Sequence, residues 1–362
     1  MVVVREILRR PLYWLLILLP VAVLLPAAGA SPTITLLAAA LAIIPLAGLL
    51  GESTEVLAAY SGPRIGGLLN ATLGNAAELI ITVIAIREGL LELVKASITG
   101  SIIGNLLLVL GASMLTGGLR HGLQTFDRRR ALGDCILLLL AVVALAVPSL
   151  FVQASEGIHD TGDVETLSLG VALLMILTYG LGLFYSFRGD GAPLTRASAE
   201  TAHVHADGWS RSTSLVVLGV ATGGVVWMSE ILVGQVQSVV SALGVSEFFL
   251  GVILVPIIGN VAEHLVAVTV AAKNQMSLSV EIAVGSSLQI ALFVAPALVF
   301  ISLALGNPLT LVFNNFELIA LVGTVVIVTQ VAGDGESNWL EGAELAALYL
   351  IFEMAFFLLP SA

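Results

Sequence analysis

The sequence carries one short polar motif twice, each time inside a long apolar stretch. Gly74-Asn75-Ala76-Ala77-Glu78 recurs as Gly259-Asn260-Val261-Ala262-Glu263, at an offset of 185 residues. Asn and Glu are three residues apart in each copy, which places an amide and a carboxylate on one face of a helix. A carboxylate inside a bilayer is costly and therefore indicates a functional site with a definite partner. We predict that each Glu has the other copy's Glu and a cation as its partners.

The residues around the motif predict an interrupted helix. Gly74 and Gly259 precede the amides and weaken a helix at that point, and Pro256 removes a backbone donor from the second copy. A broken helix exposes carbonyl oxygens, which is tolerated at membrane depth only where they line a cavity or bind an ion. The predicted ion site therefore consists of six positions: Gly74, Asn75, Glu78, Gly259, Asn260 and Glu263.

Such an all-oxygen, doubly anionic site suits a hard divalent cation. Ca2+ accepts about six to eight oxygens in flexible geometry, whereas Mg2+ demands a tight octahedron, so Ca2+ is favoured and Mn2+ stays open. Without the metal, Glu78 and Glu263 would repel each other in a low dielectric and bind protons instead. Competition between a cation and protons for the same oxygens is the chemistry of antiport. A single Glu often only bonds a neighbouring helix, but the duplication argues against that interpretation.

Further polar residues follow each motif. Gly100-Ser101 matches Gly285-Ser286 at the same offset of 185 residues, although small residues here often serve only helix packing. His264 adjoins Glu263 and is more often a packing residue than a proton carrier. The predicted polar lining of the site comprises Ser101, Asn105, His264, Ser286, Ser287 and Gln289.

Acidic residues also lie one span upstream of each motif. Glu52 and Glu55 fall in the inner half of the second span, and Glu230 falls in the outer half of the seventh. They could attract cations to opposite mouths or relay protons, and pairing with neighbours at helix ends is an equal alternative. Pairing is the preferred interpretation for the remaining acids near helix ends or in the last span: Glu281, Glu317, Glu341, Glu344 and Glu353.

Composition sets the elements that must position these residues. The chain has 362 residues, 58% hydrophobic and only 11% charged, so we predict an all-α membrane protein without a separate soluble domain. One cysteine, Cys135, excludes an intrachain disulfide framework. The predicted spans are residues 11–29, 33–60, 63–87, 95–117, 131–152, 165–187, 212–242, 247–272, 279–304, 313–332 and 339–359.

The distribution of basic residues predicts the orientation of these eleven spans. With the N-terminus in the cytoplasm, twelve basic residues fall inside, among them Arg5, Arg9 and Arg10, and only Arg87 and Lys95 fall outside. The same arrangement places the C-terminus outside, together with the acidic stretch of Glu156, Asp160, Asp163 and Glu165.

The duplication divides the chain into two units of five helices. We predict an extra helix in residues 1–32, a first repeat in 33–187, a cytoplasmic linker in 188–211 and a second repeat in 212–362. Because five is odd, the second repeat enters the membrane from the opposite side, which makes the repeats inverted. In the linker, His203, His205 and Asp207 form a weak metal pattern, and a solvated linker is the better interpretation.

These motifs resemble the Ca2+/H+ exchanger (CAX) family of the Ca2+/cation antiporter superfamily. The resemblance rests on Gly74 to Leu79, on Gly259 to His264 and on Gly285 to Leu292, and it extends over essentially the whole chain. It implies an extra helix before two inverted five-helix repeats and a Ca2+/H+ site at Glu78 and Glu263 with Gln289 nearby. It also implies that the first helix of each repeat, spans two and seven, moves as a gate.

Two departures from the family's eukaryotic members matter. Residues 188–211 are mixed in charge where those members carry an acidic helix, and a long N-terminal regulatory tail is missing. A prokaryotic cell membrane is therefore expected rather than a vacuole. The expected partners are Ca2+, H+ and membrane lipid, without nucleic acid and without a bound cofactor.

Other functions remain as alternatives. A Na+-coupled exchanger is disfavoured because sodium-driven relatives usually show a Ser-x-Pro-Glu or Ser-x-Pro-Asp element where this chain has Gly-Asn-x-Ala-Glu. A cation channel would more often arrange its carboxylates as a ring, without an inverted duplication. An enzyme is not expected, because five histidines without a His-Glu-x-x-His arrangement do not make a catalytic zinc site.

Overall fold

The computed structural model describes residues 10–154, 161–188 and 209–359. Several residues discussed above lie outside these ranges, so nothing is said of their structure: Arg5, Arg9, Glu156, Asp160, His203, His205 and Asp207. The described chain is almost entirely helical, and eleven helical segments of the length of a span or nearly so follow one another in the predicted order.

Twelve helices, numbered here in chain order, build these segments, because α3 and α4 together form one interrupted span. They are α1 (Pro11–Ala27, beginning as a 3-10 helix), α2 (Pro32–Gly62), α3 (63–73), α4 (Ala76–Arg87), α5 (Leu91–His121), α6 (Arg128–Ala154), α7 (Thr161–Arg188), α8 (Arg211–Leu243), α9 (Glu247–Ala271), α10 (Met276–Leu305), α11 (Asn315–Val331) and α12 (Trp339–Leu358). Two short strands, β1 (Gln124–Thr125) and β2 (Glu336–Ser337), pair antiparallel. Seven of the described helices are long and apolar enough to cross a membrane, and α1 and α11 are shorter apolar helices. The prediction of an all-α polytopic membrane protein is confirmed.

Polar residues at the helix ends explain where the spans begin. Ser246 caps α9 by accepting a hydrogen bond from the backbone of Phe249. Asn314 with Glu317 begins α11, and Asn338 with Glu341 begins α12, each as a reciprocal capping box. Glu317 and Glu341 thus bond at helix ends, as the sequence predicted.

The two copies of the motif differ in backbone structure. The first copy is interrupted, because α3 ends before Gly74 and α4 begins at Ala76, after Asn75. The second copy is not, because α9 runs without a break through Pro256, Gly259 and Asn260. The prediction of a broken helix is therefore confirmed for the first copy and wrong for the second.

A close helix contact explains why α9 stays intact. Pro256 lacks an N–H, so the carbonyl four residues earlier, that of Val252, has no partner from it within the helix. Gly100 of α5 packs directly on this carbonyl, and a Cβ atom at Gly100 would overlap it. The neighbouring helix therefore holds the weakened turn in place from outside.

Three connections meet at one end of the molecule, which we call the basic end because basic residues such as Arg128 lie there. The β1–β2 pair joins the α5–α6 connection to the α11–α12 connection. Gln124 donates to the carbonyl of Ala271, 3.1 Å away, which brings in the α9–α10 connection. All three are connections that the predicted topology places on one side.

The opposite end gathers the alternate connections. Lys95 donates to the carbonyl of Val312 at 3.1 Å, and Asn307 donates to the carbonyl of Ile86 at 2.9 Å. The side chain of Glu247 accepts the backbone N–H of Leu93 at 3.0 Å. In the described residues, the α5–α6, α9–α10 and α11–α12 connections therefore meet at one end and the α4–α5, α8–α9 and α10–α11 connections at the other, as alternating spans require.

The interior is built by long helix pairs. The first helices of the two repeats, α2 and α8, make the most extensive contact, and α5 packs on α9. Within α5 and α10, residues 104–109 and 290–294 form π-helical turns, which widen the helix locally and often occur at functional sites. Cys135 is free and buried, in agreement with its predicted packing role.

Candidate functional site

Glu78 lies in the first turn of α4, directly after the helix interruption, and is fully buried. Ser101 of α5 donates to its Oε1 atom at 2.5 Å, and Asn260 of α9 donates to its Oε2 atom at 3.2 Å. Both carboxylate oxygens therefore have donors, and one of the donors is the motif amide of the other repeat.

Glu263 has a related set of neighbours from the opposite repeat. Ser286 of α10 donates to its Oε2 atom at 2.9 Å. A Cβ atom at Gly74 would lie 3.5 Å from Oε1 of Glu263, so the interrupted segment of the first repeat lies directly against this carboxylate. Ser101 and Ser286, which the sequence aligned at an offset of 185, thus bind equivalent carboxylates.

The two motifs are interlocked across the repeat boundary. Gly259 packs on Glu78, because a Cβ atom there would lie 3.3 Å from the Cβ atom of Glu78. Glu78 and Glu263 are also close enough for an electrostatic interaction. Each glutamate therefore meets the glycine of the other copy, as an inverted repeat with a central pseudo-two-fold axis requires.

The amides link the remaining predicted residues. Asn75 donates to the side-chain oxygen of Gln289 at 2.8 Å, and Ser286 donates to Oδ1 of Asn75 at 3.5 Å. Gln289 lies beside Gly74 as well, since a Cβ atom at Gly74 would be 3.5 Å from its side-chain oxygen. Gln289 is therefore part of the cluster, whereas Ser287 donates to the carbonyl of Ala283 in its own helix.

His264 and Asn105 form a separate pair beside this cluster. The Nε2 atom of His264 and Oδ1 of Asn105 are 2.9 Å apart. The amide nitrogen of Asn105 is buried and has no hydrogen-bond partner among the described residues. The sequence predicted both as lining residues, and the structure places them next to the carboxylates without a hydrogen bond to either.

A cavity of about 250 Å3 leads from the cluster toward the basic end. It reaches Glu263, Gly74 and Gly259, but Glu78 is not among its lining residues. Its other polar or charged lining residues are Arg10, Tyr13, Glu52, Glu55, Asn70, Glu281, Ser286 and Gln289. Only one of the two motif carboxylates is therefore open to this end.

Ion pairs flank the mouth of the cavity. Arg10 pairs with Glu52, and Arg130 of α6 pairs with Glu281 of α10, which confirms the predicted pairing of Glu281. Glu55, one turn deeper than Glu52, also lines the cavity and interacts electrostatically with Glu263. Sequence reasoning assigned Arg10 to topology alone and therefore missed its place in the mouth.

Glu230 lies at the other end of the molecule. Its side chain is 46% exposed and pairs with Arg87 at 3.3 Å. Glu52 and Glu55 therefore belong to the basic end and Glu230 to the opposite end, as the topology predicted.

Glu353 in α12 contradicts its predicted pairing. It is 8% exposed, and neither oxygen forms a hydrogen bond of normal geometry. The expected Ser, Thr or basic partner is missing among the described residues because the inward face of α12 presents aromatic residues such as Phe356 at this level, with Tyr349 as the polar neighbour.

The arrangement can bind a cation or protons at one place. Among the described residues, no three His, Cys, Asp or Glu side chains converge as a resident metal site would require. Two carboxylates together with amide and hydroxyl oxygens can instead bind a hard cation reversibly. If the cation departs, two protons can neutralise the carboxylates in its place.

The chain is similar to known membrane antiporters over most of its length. A model of the family "Sodium/calcium exchanger protein" matches residues 31–188 and 213–358. The Ca2+/H+ antiporter of Aphanothece halophytica is 46% identical over 336 residues, covering 90% of each chain. The Ca2+/H+ antiporter ChaA of Bacillus subtilis is 46% identical over 321 residues, covering 88% of this chain and 90% of the relative. The solved structure of YfkE has a TM-score of 0.83 at 40% identity, covering 97% of this chain and all of that one.

Proposed function

The chain belongs to the sodium/calcium exchanger protein family as a Ca2+/H+ antiporter of the prokaryotic CAX type, and we propose that Glu78 and Glu263 form the site that Ca2+ and protons share. Asn75 and Asn260, with the backbone at Gly74 and Gly259, complete this site. Ca2+ and H+ are the transported ions, and no bound cofactor is required.

One observation carries this proposal. The two glutamates, 185 residues apart in sequence, each contact the motif glycine of the other repeat in the interior of the helical bundle. Charged side chains are rarely placed there unless they serve an ion pathway. A pair of them, one of which lines a cavity, supports a site that is occupied in turn by Ca2+ and by protons.

We assign the basic end to the cytoplasm and the opposite end to the exterior. The excess of basic residues on the connections at this end supports this orientation. The 46% identical relative from Bacillus subtilis supports the cell membrane as the location. Lipid of the cell membrane would then cover the exposed apolar side chains of the spans, for example Leu140, Leu174 and Leu350.

In this orientation the cavity is open to the cytoplasm. Ca2+ would enter past Glu52 and Glu55, bind Glu263 first and displace protons as Glu78 becomes a ligand. Sliding of α2 and α8, the paired first helices of the repeats, would close this cavity and open the other side. The ion could then leave while protons take its place.

Purified protein in liposomes tests the proposal directly. An imposed pH gradient should drive Ca2+ uptake by the parent protein, and Glu78→Gln and Glu263→Gln should each reduce it to the level of empty liposomes. Both variants keep the shape of the side chain and remove one charge of two. Thr82→Val is a suitable control, because Thr82 lies one turn from Glu78 and bonds only to backbone carbonyls of α4 in the described structure.

Three outcomes would contradict the proposal. Full activity of either glutamine variant would remove that residue from the site. Ca2+ flux in the parent protein that ignores the pH gradient would indicate a channel. Uptake that depends on Na+ alone would contradict proton coupling.

A further inference from the structure

Glu353 is a buried carboxyl group that the exchange site does not use. It lies in α12, is 8% exposed, and its two oxygens lack hydrogen-bond partners of normal geometry. The aromatic rings of Phe352 and Phe356 lie on either side of it along the helix, and both rings contact Phe316. An ionised carboxylate in such surroundings would lose its hydration, and no cationic group among the described residues acts on it to compensate.

The packing register between α12 and α5 shows at which level along α5 the carboxyl group of Glu353 lies. Gly118 packs on Trp339, Gly342 on Leu115, and Gly111 on Ala346, so the two helices run antiparallel in close contact. Each step along one helix matches a step back along the other, because both rise about 1.5 Å per residue. Continuing the register brings Glu353 to the level of Gly104 in α5, where α12 still contacts the π-helical turn.

This level is that of the exchange site. Ser101, which binds Glu78, lies one turn from Gly104 on α5, and Asn105 is the next residue. Asn105 contacts His264, the neighbour of Glu263, and its buried amide nitrogen has no partner among the described residues. An unpartnered donor on α5 and a buried carboxyl group on α12, whose described polar neighbour is Tyr349, therefore occupy the same depth on adjacent helices.

Few other groups act on Glu353. The hydroxyl group of Tyr349, one turn earlier on α12, is the described titratable neighbour of Glu353 and can donate to its carboxylate. The neighbouring helices α9 and α11 present Phe248 and Phe316 to the aromatic face around Phe356. A metal ion would find only two carboxyl oxygens here, whereas a single proton neutralises the group completely.

We propose that Glu353 is a second proton-binding site of the antiporter, which serves the H+ half of exchange and does not contact Ca2+. A proton bonds to one carboxyl oxygen while the group is enclosed. That O–H bond breaks when a water molecule accepts the proton, and the proton then bonds to a carboxylate oxygen of Glu78 or Glu263 at the same depth. The inference rests on the Ca2+/H+ exchange proposed above.

The test compares two transport modes in liposomes. One mode is Ca2+ uptake driven by a pH gradient, and the other is exchange of labelled for unlabelled Ca2+ at equal pH, which needs no proton. In Glu353→Gln, pH-driven uptake should fall at least about tenfold, because a positioned proton carrier is lost. Ca2+/Ca2+ exchange should stay within about twofold of the parent, because no Ca2+ ligand is changed.

Matched variants sharpen the reading. Glu344→Gln removes an exposed carboxyl group from the same helix and should leave both modes unchanged. Glu353→Asp keeps a carboxyl group and should retain pH-driven uptake with an altered pH profile. If the glutamine variant does not fold, the aspartate variant alone decides, and an unchanged pH profile overturns the proposal.

The remaining outcomes are distinct. Equal losses in both modes for Glu353→Gln would assign the residue to packing, and unchanged activity in both modes would show that its proton is idle. Either result overturns the second site and leaves the exchange site intact. Absence of pH-driven uptake in the parent protein would instead contradict the proposed function itself.

Discussion

The two copies of the Gly-Asn-x-Ala-Glu motif have nearly the same sequence and different structures. The first is interrupted at Gly74 and keeps Glu78 fully buried, whereas the second continues as one helix and exposes Glu263 to a cavity. Two inverted repeats that were in the same conformation would leave the site equally accessible from both ends. The difference between the copies therefore accounts for a cavity that is lined by Glu263 and not by Glu78.

The same comparison suggests what the opposite state contains. In an inverted repeat, exchange of the two conformations between the halves produces the opposite access. The segment around Gly259 would then be interrupted, Glu263 would be enclosed, and Glu78 would face a cavity at the opposite end. Variants at equivalent positions of the two repeats measure how far their structures differ.

Replacement of matched glycines should distinguish the halves most strongly. A Cβ atom at Gly100 would overlap the carbonyl of Val252, whereas one at Gly285, the equivalent position, meets no atom within 4 Å. Gly100→Ala should therefore destabilise the protein by about 1–3 kcal/mol through overpacking. Gly285→Ala should be neutral or slightly stabilising, by up to about 1 kcal/mol, because alanine favours a helix.

Thermal unfolding of the two purified variants in detergent measures this difference. Equal melting temperatures for Gly100→Ala and Gly285→Ala would contradict the close contact between α5 and α9. They would also remove the explanation given for the unbroken second copy.

The second largest difference is expected between the two serines that bind the glutamates, in the effect of their removal on Ca2+ affinity. Ser101 donates to a fully buried carboxylate that does not line the cavity at the basic end, so removal of its hydroxyl leaves a buried acceptor unsatisfied. Ser101→Ala should weaken apparent Ca2+ affinity about tenfold, the effect of about 1.4 kcal/mol. Ser286→Ala should weaken it less than about threefold, because water in the cavity can replace the hydroxyl at Glu263.

The Ca2+ concentration at half-maximal uptake, measured at one fixed pH gradient, reports both variants. A larger effect for Ser286→Ala than for Ser101→Ala would reverse the assignment of the enclosed and open halves.

The smallest expected effects concern the two mouths. Glu55 lines the cavity at the basic end, and Glu230 pairs with Arg87 at the opposite end. Glu55→Gln should lower the rate of Ca2+ entry from the basic end by a few-fold, and Glu230→Gln should do so from the other end, because each charge concentrates cations locally. Initial rates of Ca2+ uptake, measured in liposomes that hold the protein in either orientation, distinguish the two variants. If both variants slowed entry from the same end, the topology would be contradicted.

Sequence reasoning predicted the features that depend on residue identity. The duplication of Asn, Glu and Ser at one offset indicated a shared site, and the alternation of apolar spans indicated the ends at which Glu55 and Glu230 lie. The serine–glutamate contacts follow from the same offset. Each of these features repeats within the sequence, so it can be recognised although most of the chain is apolar.

Features that depend on contacts between helices far apart in the sequence could not be predicted from the sequence. Gly259 and Pro256 predict a weaker helix than Gly74 does, yet α9 is the intact one because α5 holds it. Arg10 resembled any other cytoplasmic arginine until folding placed it beside Glu52. The sequence grouped Glu353 with the acidic residues that were expected to pair with neighbours. Only the packing of α12 shows that aromatic rings surround it.

The central claim is that one site is reached from the two ends in turn. Ala77 and Ala262 precede the two glutamates at equivalent positions, but Ala77 is 4% exposed while Ala262 lines the cavity. Single cysteines at these positions, in a protein whose Cys135 is replaced by alanine, can be tested with a membrane-impermeant thiol reagent. In the conformation described here, Ala262→Cys should react from the basic end and Ala77→Cys from neither end. A pH gradient with Ca2+ present should then make Ala77→Cys react from the opposite end, and reaction of both cysteines from the same end would contradict the account.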